Sequence, residues 1–130
     1  MTVDELLASA RAEIDRVTPE QADELRRSGA LLVDIRPQAN RLAEGEIPGS
    51  VVVERIVLEW RLDPVGSHKL AGFTADTPVV VLCNEGYASS LAARDLRRLG
   101  VPGATDLIGG FRGWRAAGLP VQPGGGPAVD

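Results

Sequence analysis

The stretch VVVLCNEGYASSLAARDLRRLG, residues 79–100, decides the fold. Val79 to Leu82 form an unbroken apolar run after Pro78, the pattern of a strand covered on both faces in a parallel sheet. From Ala88 onward the pattern changes period. Ala88, Leu91, Ala92, Leu96 and Leu99 mark one helix face, Arg94, Asp95, Arg97 and Arg98 lie outside it, and Gly100 supplies the stop. Strand, short polar loop and helix in that order predict an α/β unit, with Cys83 at the carboxyl end of the strand. The backbone N–H groups of residues 84–89 can curl into an anion-binding nest, and the helix amino terminus adds partial positive charge. Both favour the thiolate, which is the nucleophilic form, and Gly86 permits the tight backbone path. A lone cysteine can equally be a small apolar residue at a strand end. Its place at the carboxyl edge of an open α/β sheet, where ligands bind, weighs toward function.

The flanking sequence repeats the alternation. Thr2 with Glu5, and Thr18 with Pro19 and Gln21, read as capping boxes that start helices over 3 to about 15 and 19–28. Ala30 to Ile35 is a second buried strand with Asp34 near its carboxyl end. Residues 36–50 read as a polar connection carrying the turn Ile47-Pro48-Gly49-Ser50, followed by a short strand at Val51–Val53. Over 54–77 the pattern supports only a helical turn or two before a loop. Ala104–Ile108 reads as a last strand, Gly109-Gly110 as a turn and Phe111–Ala117 as a short helix. The division expected is an N-terminal helical segment over 1–17 packing on the domain, a domain over 18–122, and a flexible Gly- and Pro-rich tail over 123–130.

Composition narrows the function. At 130 residues the chain suits one domain, able to bury roughly two-thirds of its unfolded surface without staples. A net charge of −4 lacks the basic footprint of a nucleic-acid binder. No apolar run approaches the roughly 20 residues of a membrane span. The acidic amino terminus, with Asp4, Glu5 and Glu13, is unlike a secretory signal, so the expected compartment is the cytoplasm. One Cys and one His cannot make a disulfide or a Cys/His metal site.

Four segments, LLVDIRP at 31–37, EGEIPGS at 44–50, VVVLCNEGYASS at 79–90 and DLIGGFRGWRAAGLPV at 106–121, resemble the rhodanese, or sulfurtransferase, homology domain in order and spacing. The closing Gly-Gly-aromatic-x-Gly-Trp run is the most specific of them. The resemblance implies an open, mainly parallel five-stranded sheet with helices on both faces. It also implies that Cys83 is the nucleophile, taking sulfane sulfur as a persulfide and passing it to a thiol, cyanide or protein acceptor. The N–H groups of Asn84, Glu85, Gly86, Tyr87, Ala88 and Ser89 would hold the persulfide charge, and no metal or organic cofactor is called for. The expected partners are a small-molecule sulfur donor and a thiol or protein acceptor. Ala88 stands where many members carry Arg, and Glu85 lies inside the loop, so the pocket should favour an anionic donor less than a basic loop would. Glu46 replaces a common His at a position read as structural.

The other polar residues carry weaker readings. Asp34 and Arg36 fit a structural ion pair better than substrate contact. Arg55 and Arg61 beside Trp60 fit a solvated helix face better than a rim over the pocket, and His68 fits an exposed loop better than a general base. Tyr87 can wall the pocket or pack against a neighbour. Cysteine phosphatases also combine strand, cysteine, anion loop and helix, but their chemistry needs Arg at position 89, which is Ser here. The competing reading from another class is a catalytically weak sensor or protein-binding module on the same fold.

Overall fold

The computed structural model describes residues 1–130. Its elements are α1 (Val3–Arg11), α2 (Pro19–Arg27), β1 (Leu31–Asp34), α3 (Gln38–Glu44), β2 (Val51–Val52), a 3-10 turn (Arg55–Val57) running into α4 (Leu58–Arg61), β3 (Val79–Leu82), α5 (Ala88–Arg98), β4 (Ala104–Asp106) and α6 (Gly110–Ala116). Both expected capping boxes are present: the Thr2 and Thr18 hydroxyls accept from Glu5 N and Gln21 N, and the Glu5 and Gln21 side chains accept in return.

The sheet has the order β2-β1-β3-β4 and every pairing is parallel. Four strands form where the resemblance implied five. Each edge is extended by a single parallel bridge instead, Val17 beside Leu107 and Val53 beside Val129. One bridge orders one residue pair and does not make a strand.

Alternation along β3 sorts the core into two layers. Val79, Val81 and Cys83 face one side with Val33, Leu58, Leu62, Phe73, Ala92 and Leu96. Val80 and Leu82 face the other with Leu32, Ile47, Leu107, Phe111 and Trp114. Helices therefore cover both faces, α1 stacking on α5 and α2 meeting α6. The same alternation carries Cys83 to the α5 side, beneath that helix's amino terminus.

Two expectations of local structure change. The first helix ends at Arg11, earlier than the apolar spacing suggested. Residues 38–44, read as loop, form α3, whose Leu42 is exposed while Arg41 is buried, so no apolar stripe announces it. In the tail, Glu54 N donates to Val129 O and Val129 N to Val52 O, and just ahead of it Glu46 and Gln122 exchange backbone hydrogen bonds. Glu46 is the peg, its Oε2 accepting from Arg41 Nη1 at 2.8 Å and from Gly125 N at 3.0 Å, while Arg41 Nη1 also reaches Gly126 O at 2.8 Å.

Burial acts to raise the pKa of Glu46, but the hydrogen bonds from Arg41 and Gly125 outweigh it and leave the carboxyl below its ordinary 4.5. Its contribution to stability is present above the unfolded pKa and is lost as pH falls through the depressed folded value. Glu46→Gln is expected to cost about 1–3 kcal/mol at pH 7, because Arg41 stays buried without its counter-charge. In thermal melts, the gap between wild type and variant should close as pH drops below 4.5.

Candidate active site

Cys83 lies at the carboxyl end of β3, 8% exposed, at the base of a cavity of about 360 Å3. Ile35, Arg36, Pro37, Asn40 and Arg55 form one wall, and Asn84, Glu85, Tyr87 and Ala88 form the other. Two loop amides reach the sulfur: Gly86 N at 3.3 Å and Ser89 N at 3.4 Å from Sγ. The N–H groups of Asn84, Glu85, Tyr87 and Ala88 have no acceptor in the protein and remain free as donors. The six loop residues named from the sequence are thus gathered around one thiol, two of them through direct contact.

Ser89 Oγ lies 3.2 Å from Sγ and donates its proton to Asp106 Oδ2 at 2.8 Å. A hydroxyl has one proton, so Ser89 offers the sulfur only a lone pair and accepts from the thiol. Ser90 Oγ donates to the same Asp106 oxygen at 2.8 Å. Asp106 is fully buried and is paired with Arg16 through Nε at 2.8 Å and Nη2 at 3.2 Å. Sequence reading missed Asp106, Arg16 and Arg11. The available signal was an acid placed inside the apolar run before Gly109-Gly110.

The Gly-Gly motif seats the loop from below. Phe111 N donates to Cys83 O at 2.8 Å and Arg112 N to Asn84 O at 3.1 Å, which fixes the backbone on which the thiol stands. A Cβ at Gly110 would lie 2.5 Å from Cys83 O, so only glycine allows this approach.

Asp34 and Arg36 form the buried pair expected of them, with Nη2 to Oδ2 at 2.8 Å. Arg36 also donates to Gly45 O at 2.7 Å and stacks 4.0 Å over the Phe111 ring, while lining the cavity. Arg55 lines the cavity too, paired with Glu59, whereas Arg61 donates to His68 O and Asp130 O and does not line it. His68 is exposed and does not line the cysteine cavity. Tyr87 is exposed and walls the cavity, with Arg11 over its ring at 5.8 Å.

Glu85 does not face the thiol uncompensated, since its Oε1 accepts from Arg112 Nη1 at 2.7 Å. Arg112 also donates to Glu44, and Asn84 Nδ2 donates to Glu44 Oε2 at 3.0 Å. Hydrogen bonds from Arg112 and then Asn84 hold the Glu44 carboxyl below its ordinary value, and Glu44 in turn raises Arg112. No three Cys, His, Asp or Glu side chains are grouped to hold a metal ion.

A thiol at the carboxyl edge of a parallel sheet, with two loop N–H groups on its sulfur and a helix starting just beyond it, defines a cysteine-centred pocket on an open α/β fold. The comparisons carry this to a family. The chain matches the rhodanese-like domain over residues 18–117, and it belongs to that family. It is 37% identical to a thiosulfate sulfurtransferase GlpE of Pseudomonas savastanoi pv. phaseolicola, covering 80% of this chain and 90% of that protein. With a GlpE of Pseudomonas aeruginosa it shares 36% identity over 87% of this chain and 94% of the relative. Among solved structures, a Rhodopseudomonas palustris protein of unknown function, described as a possible tyrosine phosphatase, superposes with a TM-score of 0.84 at 32% identity, covering 94% and 95% of the two chains. The polysulfide-sulfur transferase homodimer of Wolinella succinogenes gives 0.75 at 25% identity, covering 91% and 85%.

Gly86 has φ +89°, and a Cβ there would meet Gly109 N at 3.0 Å and Arg16 Nη2 at 3.1 Å. Gly86→Ala is expected to lower stability by about 1–3 kcal/mol through left-handed strain and crowding. It should also slow alkylation of Cys83 by iodoacetamide, measured beside the thermal melt, because the Gly86 N–H leaves the sulfur.

Proposed function

We propose that this chain is a rhodanese-type sulfurtransferase that carries sulfane sulfur on Cys83, with thiosulfate as a donor it can use. The single observation that carries the reading is the thiol that already accepts two loop N–H groups, in a loop whose other four N–H groups have no acceptor in the protein. The thiolate attacks the outer sulfur of the donor; a Cys83 S–S bond forms, the donor's own S–S bond breaks, and sulfite leaves with the electron pair. The persulfide anion is then held by the loop amides. An acceptor nucleophile, cyanide or a thiol, attacks the outer sulfur and the Cys83 thiolate departs with its bonding pair. The partners are accordingly a sulfur donor and a sulfur acceptor. No helix is long and apolar enough to cross a membrane.

Phosphate-ester hydrolysis fits less well, since the position that would carry a phosphate-clamping Arg holds Ser89, buried and committed to Asp106.

Cys83→Ser should abolish thiocyanate production from thiosulfate and cyanide while leaving the melting temperature close to wild type; retained turnover would overturn the assignment. Ala88 is exposed at the cavity mouth. Ala88→Arg should raise kcat/KM for thiosulfate roughly fivefold, the equivalent of about 1 kcal/mol, mainly through KM, with the gain shrinking as salt is added. Steady-state kinetics at two ionic strengths checks this.

A further inference from the structure

Two guanidinium groups from the segment that precedes the family match converge on one carbonyl of the cysteine loop. Arg11, the last residue of α1, donates from Nη2 to Gly86 O at 2.7 Å, and Arg16 donates from its own Nη2 to the same oxygen at 3.0 Å. Both cations are anchored: Arg11 Nε to Ser90 Oγ at 3.1 Å, and Arg16 to the buried Asp106. A carbonyl oxygen has two lone pairs, so this one is fully engaged.

The consequence passes through the peptide bond. No peptide is cis, and in a planar trans unit the Gly86 C=O and the Tyr87 N–H point in opposite directions. With the oxygen held toward Arg11 and Arg16, the Tyr87 N–H is turned away from them, and Tyr87 is one of the residues that line the Cys83 cavity. It has no acceptor in the protein. Two cations on the oxygen also polarise the peptide and make its N–H a stronger donor.

We propose that Arg11 and Arg16 are positioning residues that aim and polarise the Tyr87 N–H as a donor to the anion bound in the cysteine loop. In the sulfurtransferase reading, on which this inference rests, that anion is the donor's terminal group and then the persulfide's outer sulfur. The segment ahead of residue 18 is in this way a working part of the site.

Arg11 is the residue to vary, because Arg16 also neutralises Asp106. Arg11→Met is expected to form the Cys83 persulfide from thiosulfate about tenfold more slowly, short of the hundred- to thousandfold cost of deleting such a donor outright, with the melting temperature little changed. Arg11→Lys should recover part of the rate. In 1H–15N spectra, the Tyr87 amide proton should move downfield when the wild-type full-length protein is titrated with sulfate, and move clearly less in R11M. The sulfate arm involves no sulfur transfer. If wild type forms no persulfide, the sulfurtransferase reading fails, while the Tyr87 signal still decides the aiming. A Tyr87 signal unmoved in wild type or moved equally in both proteins overturns the proposal, as does an unchanged persulfide rate in R11M. Should R11M not fold, Arg11→Gln, too short to reach Gly86 O, replaces it under the same criteria.

Discussion

A carboxylate sealed from water organises the cysteine loop. Burying Asp106 would cost several kcal/mol if it stood alone, so donors must come to it, and three do: Arg16 from the N-terminal segment, and Ser89 and Ser90 from the first turn of α5. Those contacts fix the helix start at the height where Ser89 N faces the Cys83 sulfur. They also bring Arg16 to the Gly86 carbonyl, joining the loop to the segment outside the family match. The arrangement has a chemical side effect, since Ser89 spends its proton on Asp106 and leaves the sulfur to the backbone amides.

Charge around the cavity is balanced in layers. Arg36 is spent on Asp34 and Gly45 O, Glu85 is met by Arg112, and Glu44 ties Arg112 to Asn84. The unspent polar groups on the loop are neutral N–H dipoles. Such a site stabilises a sulfur anion without a fixed cation at its centre, which fits a carrier that must both accept and release sulfur.

The strand, loop and helix around Cys83 were legible because their signals are local: an unbroken apolar run, a glycine, then a change to helical period. The capping boxes at Thr2 and Thr18 were legible for the same reason. What escaped is held by contacts that leave no local pattern. Helix α3 buries Arg41 and exposes Leu42, reversing the usual sign of its pattern. Gln122 and Val129 are joined through backbone bonds to residues 46, 52 and 54, which composition does not record. Arg11 and Arg16 meet Gly86 across 75 and 70 residues of sequence, and spacing along the chain does not encode such a meeting. Glu46, read as structural, is the peg that holds the tail.

The central claim is that Cys83 becomes a sulfur carrier, and intact mass spectrometry of the protein incubated with thiosulfate tests it most directly. The account predicts a gain of one sulfur atom per chain, lost on adding cyanide and absent from Cys83→Ser. No gain in the wild type, or an equal gain in the variant, would contradict it.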